Sequence, residues 1–126
     1  MAWTLYISAQ ASRDIDAIWE YGYDTFGLQI ADDYDALIKQ ALFDIRENPH
    51  RPGVALVPDR DGMYAYHLRY ANQRAPGNIK TPRHAVIYFL IGDQTVAVAS
   101  ISRLIRQHHI KNLSRDTIID EMNNDD

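Results

Sequence analysis

The chain contains no cysteine, which excludes disulfides, thiol nucleophiles and cysteine-ligated metal sites. No run approaches the ~20 apolar residues that a membrane span requires. The opening residues Met1-Ala2-Trp3-Thr4 lack a basic region followed by an apolar stretch, so no signal peptide is expected and a cytoplasmic location follows. There is no phosphate-cradling glycine loop and no Gly-x-Ser-x-Gly elbow. His108 and His109 are adjacent, so in a regular element their side chains diverge. His50, His67 and His84 have no second ligand two to four residues further on. No metal, no cofactor and no catalytic residue is therefore expected.

What is present is enough for one core. With 126 residues, 46% of them hydrophobic, residues 1–126 are read as a single globular domain. The net charge of −4 conceals segregation: residues 1–50 carry 3 Lys+Arg against 9 Asp+Glu, residues 51–115 carry 10 against 3, and residues 116–126 carry 0 against 5. Either a basic face meets something anionic, or the blocks neutralise one another in the fold.

The stretch from Pro82 to Leu104 reads as the organising β-hairpin. Ala85–Ile91 is apolar on both alternating sets, Val86, Tyr88 and Leu90 against Ile87, Phe89 and Ile91. Such a strand belongs in the middle of a sheet, covered on both sides. Gly92-Asp93 supplies the turn, and Thr95–Ile101 returns with small alanines that suit a helix lying close.

Upstream, Trp3–Ile7 alternates as a strand. Ser8 is placed to cap a helix whose stripe is Ala11, Ile15, Ile18, Trp19, Gly22 and Phe26, ending at Gly27. A second helix is expected from about residue 29 to 47, with the stripe Ile30, Tyr34, Leu37, Ile38, Ala41 and Ile45, stopped by Asn48-Pro49. The short linker makes the two an antiparallel hairpin. Val54–Val57 reads as a short strand, Asp59–Gly62 as a turn, Met63–Tyr70 as a strand with Tyr64, Tyr66, Leu68 and Tyr70 on one face, and 71–83 as a loop. Ser114 caps a short last helix with Ile118, Ile119 and Met122 in a helical, acidic segment (113–126), whose tail beyond that helix is expected to fray. The fold class is α+β, in the order β-α-α-β-β-β, with the helical hairpin packed on one face of a small, mainly antiparallel sheet.

The aspartates Asp14, Asp16, Asp32, Asp33 and Asp35 read as solvated helix faces. The remaining chemistry lies in Arg69, Arg74, Arg83, His84, Arg103 and Arg106, with Lys80 in the same region. Interleaved with Tyr66, Tyr70 and His67, this set could hold RNA, dock an acidic protein surface, or be scattered on the surface.

Several segments together carry a resemblance. Ser8-x-x-Ala11-x-x-Asp14-Ile15-x-x-Ile18-Trp19-x-Tyr21, Phe26-Gly27-x-x-x-Ala31-x-x-Tyr34 and Asn48-Pro49 resemble the helical hairpin of ParE toxins in the ParE/RelE superfamily. His67-Leu68-Arg69, Pro82-Arg83-His84-x-x-x-Tyr88 and Ile101-x-Arg103-Leu104-Ile105 resemble that family's strands. The resemblance spans about residues 3–113. Two departures stand out. Phe89 follows the strand tyrosine where the family commonly has Arg, and Arg106-Gln107 stand where a His-containing turn is usual.

The resemblance implies the toxin of a type II toxin–antitoxin module, a growth regulator associated with plasmid maintenance. Such a toxin traps DNA gyrase on cleaved DNA without catalysis of its own and is neutralised by a cognate antitoxin. The antitoxin is expected to be a ParD-like ribbon-helix-helix protein that contacts operator DNA itself. Two alternatives remain: a RelE-type ribosome-dependent mRNA endonuclease, in which a basic residue or Tyr88 would be essential, and an inactive toxin acting only as a co-repressor. For the antitoxin, Trp19, Tyr23 and Tyr34 are the candidate groove, and Arg83 with Arg103 its candidate rim.

Overall fold

The computed structural model describes residues 2–77, 79–103 and 112–124. The chain runs β1 (Thr4–Ile7), α1 (Ala9–Phe26), α2 (Leu28–Glu47), β2 (Val54–Leu56), β3 (Met63–His67), β4 (Ala85–Ile91), β5 (Thr95–Ser102) and α3 (Arg115–Asn123). The strands form one sheet in the order β1-β5-β4-β3-β2. β1 runs parallel to β5, and the other neighbours are antiparallel. The expected α+β architecture is present, with one strand more than β-α-α-β-β-β, because Val54–Leu56 pairs as a full edge strand.

Ser8 links the first two elements. Its backbone N–H reaches Val98 O at 3.0 Å, continuing the β1–β5 ladder. Its Oγ donates to Ala99 O at 3.0 Å and accepts from Ala11 N at 3.1 Å, so the α1 cap is also a tie to the sheet. Gly27, at φ 96, is the single residue that turns the chain from α1 into α2.

β4 is buried on both faces, as its two apolar sets require. On the first face, Val86 and Tyr88 join Tyr66, Val96 and Val98 beneath Leu37, Ile38, Ala41 and Ile45 of α2. On the second, Ile87 and Phe89 join Met63, Ala65, Ala97 and Ala99. A bulge at Ala99 shifts the parity of β5, since Tyr88 pairs with Val98 but Ile87 pairs with Ser100. Ile101 thereby returns to the same core as Val96 and Val98.

The cover of the second face is the expected last helix, whose place in the packing no local pattern announced: α3 lies there, with Ile118 buried and Leu113 and Met122 packed beside it. Ser114 caps α3 as expected, accepting from Thr117 N at 3.0 Å. Arg115 donates to Leu90 O at 3.3 Å, Arg60 to Leu113 O, and Glu121 accepts from Tyr6 Oη and from Ala9 N at 3.0 Å. The carboxylate of Glu121 thus meets the first turn of α1, where unpaired N–H groups favour negative charge.

Two more expectations fail locally. β3 stops at His67 because that side chain accepts the Arg69 N–H through Nδ1 at 3.1 Å, turning Leu68–Tyr70 into a 3₁₀ turn. Tyr70 therefore leaves the strand face and stacks on Tyr66, with centroids 5.9 Å apart. Of the expected α1 stripe only Ala11 is fully buried, and Phe26 projects into solvent.

Gly53 yields a first prediction. It adopts φ +101, and a Cβ there would lie 2.9 Å from Cγ of Tyr70. Gly53→Ala combines left-handed strain with displacement of a stacked ring, and is expected to cost about 2–3 kcal/mol. The check is a lower urea midpoint at unchanged m-value.

Candidate partner interface

The register of the sheet assembles one end of it. Ala85 pairs with His67 on one side and Ser102 on the other. His84 and Arg83 just before Ala85, Arg69 just past His67, and Arg103 just past Ser102 are therefore brought to the same edge. The arginines Arg69, Arg83 and Arg103 are exposed, and none has a carboxylate within ion-pair distance among the described residues. Arg69 is steadied by Tyr70, over whose ring its guanidinium lies 4.9 Å from the centroid. Arg83 and Arg103 remain available to an anionic group.

Tyr34 organises this edge from beneath. Its hydroxyl accepts the Arg83 backbone N–H at 3.0 Å and shares a 2.6 Å hydrogen bond with Nδ1 of His84. Burial holds the His84 imidazolium pKa down at about 4, with Arg103, then His67, adding to the effect and Asp14 opposing it. Burial raises the pKa of Tyr34 itself. The pair is neutral near pH 7. His67 is also held neutral, by burial and by Arg69.

This edge is pH-sensitive in a definite direction. The folded state binds the His84 proton more weakly than the unfolded chain does. His84 therefore weakens stability progressively as pH falls from about 6.5 to about 4, by on the order of 2 kcal/mol. Urea midpoints measured across that window should fall more steeply for the parent than for His84→Gln. The comparison removes the common background from protonating carboxylates.

A cleft of about 470 Å³ adjoins the edge, lined by Gln10, Asp14, His84, Ser102, Arg103 and Asn112 among others. Asp14 is not a solvated helix-face residue as expected. It accepts from Ile101 N at 3.0 Å and from Ser100 Oγ at 2.7 Å, closing the part of β5 that β1 does not reach.

The other candidates divide. Arg74 is committed to Asp44, to which its Nη2 donates, and to Tyr70 O at 3.0 Å. Arg106 lies outside the described residues. Trp19 and Tyr23 stack with centroids 5.3 Å apart, while Tyr34 is engaged with His84, so the three do not form one wall. Tyr88 is buried and donates to Pro49 O at 2.6 Å, which removes it from any reacting position. Phe89 is buried in the core beneath α3, where an arginine would be desolvated.

Sequence reasoning passed over Asp44. A signal was available: an acid at i+7 from Leu37, beside Ala41 and Ile45, falls on the buried stripe of α2 and demands a partner.

A family model described as "ParE toxin of type II toxin-antitoxin system, parDE" matches residues 5–107. No curated protein matches the chain. Among solved structures, a chain of the chromosomal ParDE TA system from P. aeruginosa is similar at 14% identity and TM-score 0.63, covering 82% of this chain and 97% of that one. A chain of the YoeB dimer from Staphylococcus aureus is similar at 16% identity and TM-score 0.51, covering 81% and 97%. These likenesses concern the fold.

Proposed function

The chain belongs to the ParE toxin family of type II toxin–antitoxin systems, and from that premise we propose that it blocks DNA gyrase and replication without catalysis of its own. The observation that carries this reading is the family match over residues 5–107. An antitoxin partner follows from the same membership. We place its acidic segment on the sheet end bearing Arg83 and Arg103, with His84 and Arg69 beside them. The charge and availability of these groups support that placement. A ParD-like, ribbon-helix-helix antitoxin would carry the operator DNA contacts. A cytoplasmic site of action accords with this target, and no described helix is long and apolar enough to cross a membrane.

The deciding experiment is a supercoiling and cleavage assay with purified gyrase, with and without the antitoxin. Inhibited supercoiling and accumulated cleaved DNA, both reversed by the antitoxin, are the expected result. Unimpaired gyrase would overturn it.

One observation favours a second reading. His84, Tyr34 and Arg103 lie together beside a cleft, a set able to exchange a proton and hold a phosphate. An mRNA endonuclease on this fold would cleave transcripts in a translating extract and lose that activity in His84→Ala or Arg103→Ala.

A further inference from the structure

The helical hairpin presents a surface opposite in sign to the strand-end edge. Between Asp14 and Ile38 the chain carries seven Asp or Glu and no Lys, Arg or His. On α1, Trp19, Tyr23 and Phe26 recur at i, i+4 and i+7, and therefore share one flank. Asp32 of α2 borders the same flank, because Trp19 Nε1 donates to its Oδ1 at 3.0 Å. Leu28, one turn before Asp32, joins the surface.

Three of these aromatic and aliphatic side chains are exposed, and the half-buried Trp19 among them is held in place. Tyr23, Phe26 and Leu28 are 49%, 63% and 56% exposed. The Trp19 ring is fixed on both sides, stacked on Tyr23 at an interplanar angle of 20° and hydrogen-bonded to Asp32. Aromatic groups fixed before binding lose little rotamer freedom when a partner arrives, which makes them efficient anchors. Asp16 stands one turn before Trp19, with Glu20 and Asp24 on the same helix. None of the three has an ion-pair partner among the described residues.

Charge then selects the occupant. Anionic lipid, nucleic acid and acidic peptide are repelled by this field, whereas a segment with Lys or Arg around apolar anchors is matched in both respects. We propose that the Trp19–Tyr23–Phe26–Leu28 face docks a basic amphipathic helix of a protein partner. The proposal does not rest on the reading above, which places the acidic segment of the antitoxin on the strand-end edge. The strand-end edge draws carboxylates, and the hairpin face draws lysine and arginine.

The test uses the full chain carrying Trp3→Phe, which leaves Trp19 as the single indole reporter. Two synthetic amphipathic helices of about 18 residues share leucine anchors but carry Lys in one and Glu in the other. The lysine peptide is expected to shift Trp19 emission and to bind at least about tenfold more tightly than the glutamate peptide, the difference shrinking at high salt. Tyr23→Ser with Phe26→Ser and Leu28→Ser should weaken the lysine peptide at least about tenfold. Asp16→Asn with Asp24→Asn should weaken it several-fold and flatten its salt dependence, and serves as the arbiter if the triple variant loses helicity. Equal binding of both peptides, or binding indifferent to both sets of substitutions, would overturn the proposal. So would self-association of the chain, or insertion of Trp19 into neutral vesicles, abolished by the triple variant. No gyrase or antitoxin enters the experiment, so its failure is separable from failure of the functional reading.

Discussion

Replacing Asp44 by alanine is expected to destabilise the fold by about 3–5 kcal/mol. Asp44 is 2% exposed, and both its oxygens are doubly used. Oδ2 accepts from Tyr66 Oη at 2.8 Å and from Arg74, while Oδ1 accepts from Gln40 Nε2 at 3.0 Å and lies 3.5 Å from Arg51 Nη1. Alanine would leave two guanidinium groups without their counter-charge and the Tyr66 hydroxyl without its acceptor. The Nε of Arg51 is already buried without a hydrogen-bond partner, so the site has no reserve. Burial first, and the hydrogen bond to Asp44 second, push the Tyr66 phenol up to about 12, consistent with an uncharged donor facing a carboxylate. Against a typical domain stability of about 5–15 kcal/mol, the loss is a large fraction of the whole. Asp44→Asn keeps the shape and some of the acceptor capacity, so it should cost less than Asp44→Ala. Urea denaturation of both variants checks the order, and equal stability of parent and Asp44→Ala would refute the cluster's structural role.

Arg74 shares in this result. By sequence it groups with the partner-binding arginines, because it stands in a basic loop between two strands. Its guanidinium instead crosses to α2, a contact between residues 30 positions apart that no local pattern announces. Arg74→Ala should therefore act on folding stability through its coupling to Asp44. A double-mutant cycle across the two residues reads that coupling.

The legible parts of the fold are those set by local pattern. Two apolar sets on Ala85–Ile91 implied a central strand with both faces covered, and both are covered. The same pattern implied a second cover that the sequence reading assigned to no element. The last helix was legible from Ser114, Ile118 and Met122, but not the sheet face on which it packs. The helix docks where Glu121 finds the α1 terminus and the Tyr6 hydroxyl, a pairing across more than a hundred residues. The end of β3 was equally hidden. Alternation continues through Tyr70, but one His67 side-chain hydrogen bond ends the strand. Of the candidate site, the arginines were visible as residue types. That Arg74 is not available was decided by Asp44, whose partners could be known only from the packing.

Reversing charge at the two available positions should have the largest functional effect. Arg83→Glu with Arg103→Glu turns two attractions toward an acidic antitoxin segment into two repulsions. At low salt this should weaken the toxin–antitoxin complex roughly 30- to 100-fold, or about 2–3 kcal/mol. Both side chains are exposed and make no ion pair among the described residues, so thermal stability should barely move. Salt provides the internal control. Screening at high ionic strength should bring the parent's affinity down toward that of the variant, because exposed charges beyond a Debye length cease to matter. Titration calorimetry at two salt concentrations measures both quantities. Unchanged affinity at low salt would remove Arg83 and Arg103 from the interface. A salt-independent loss would point instead to Tyr34 and His84, which the Arg83 backbone holds in place, having been disturbed by the substitution.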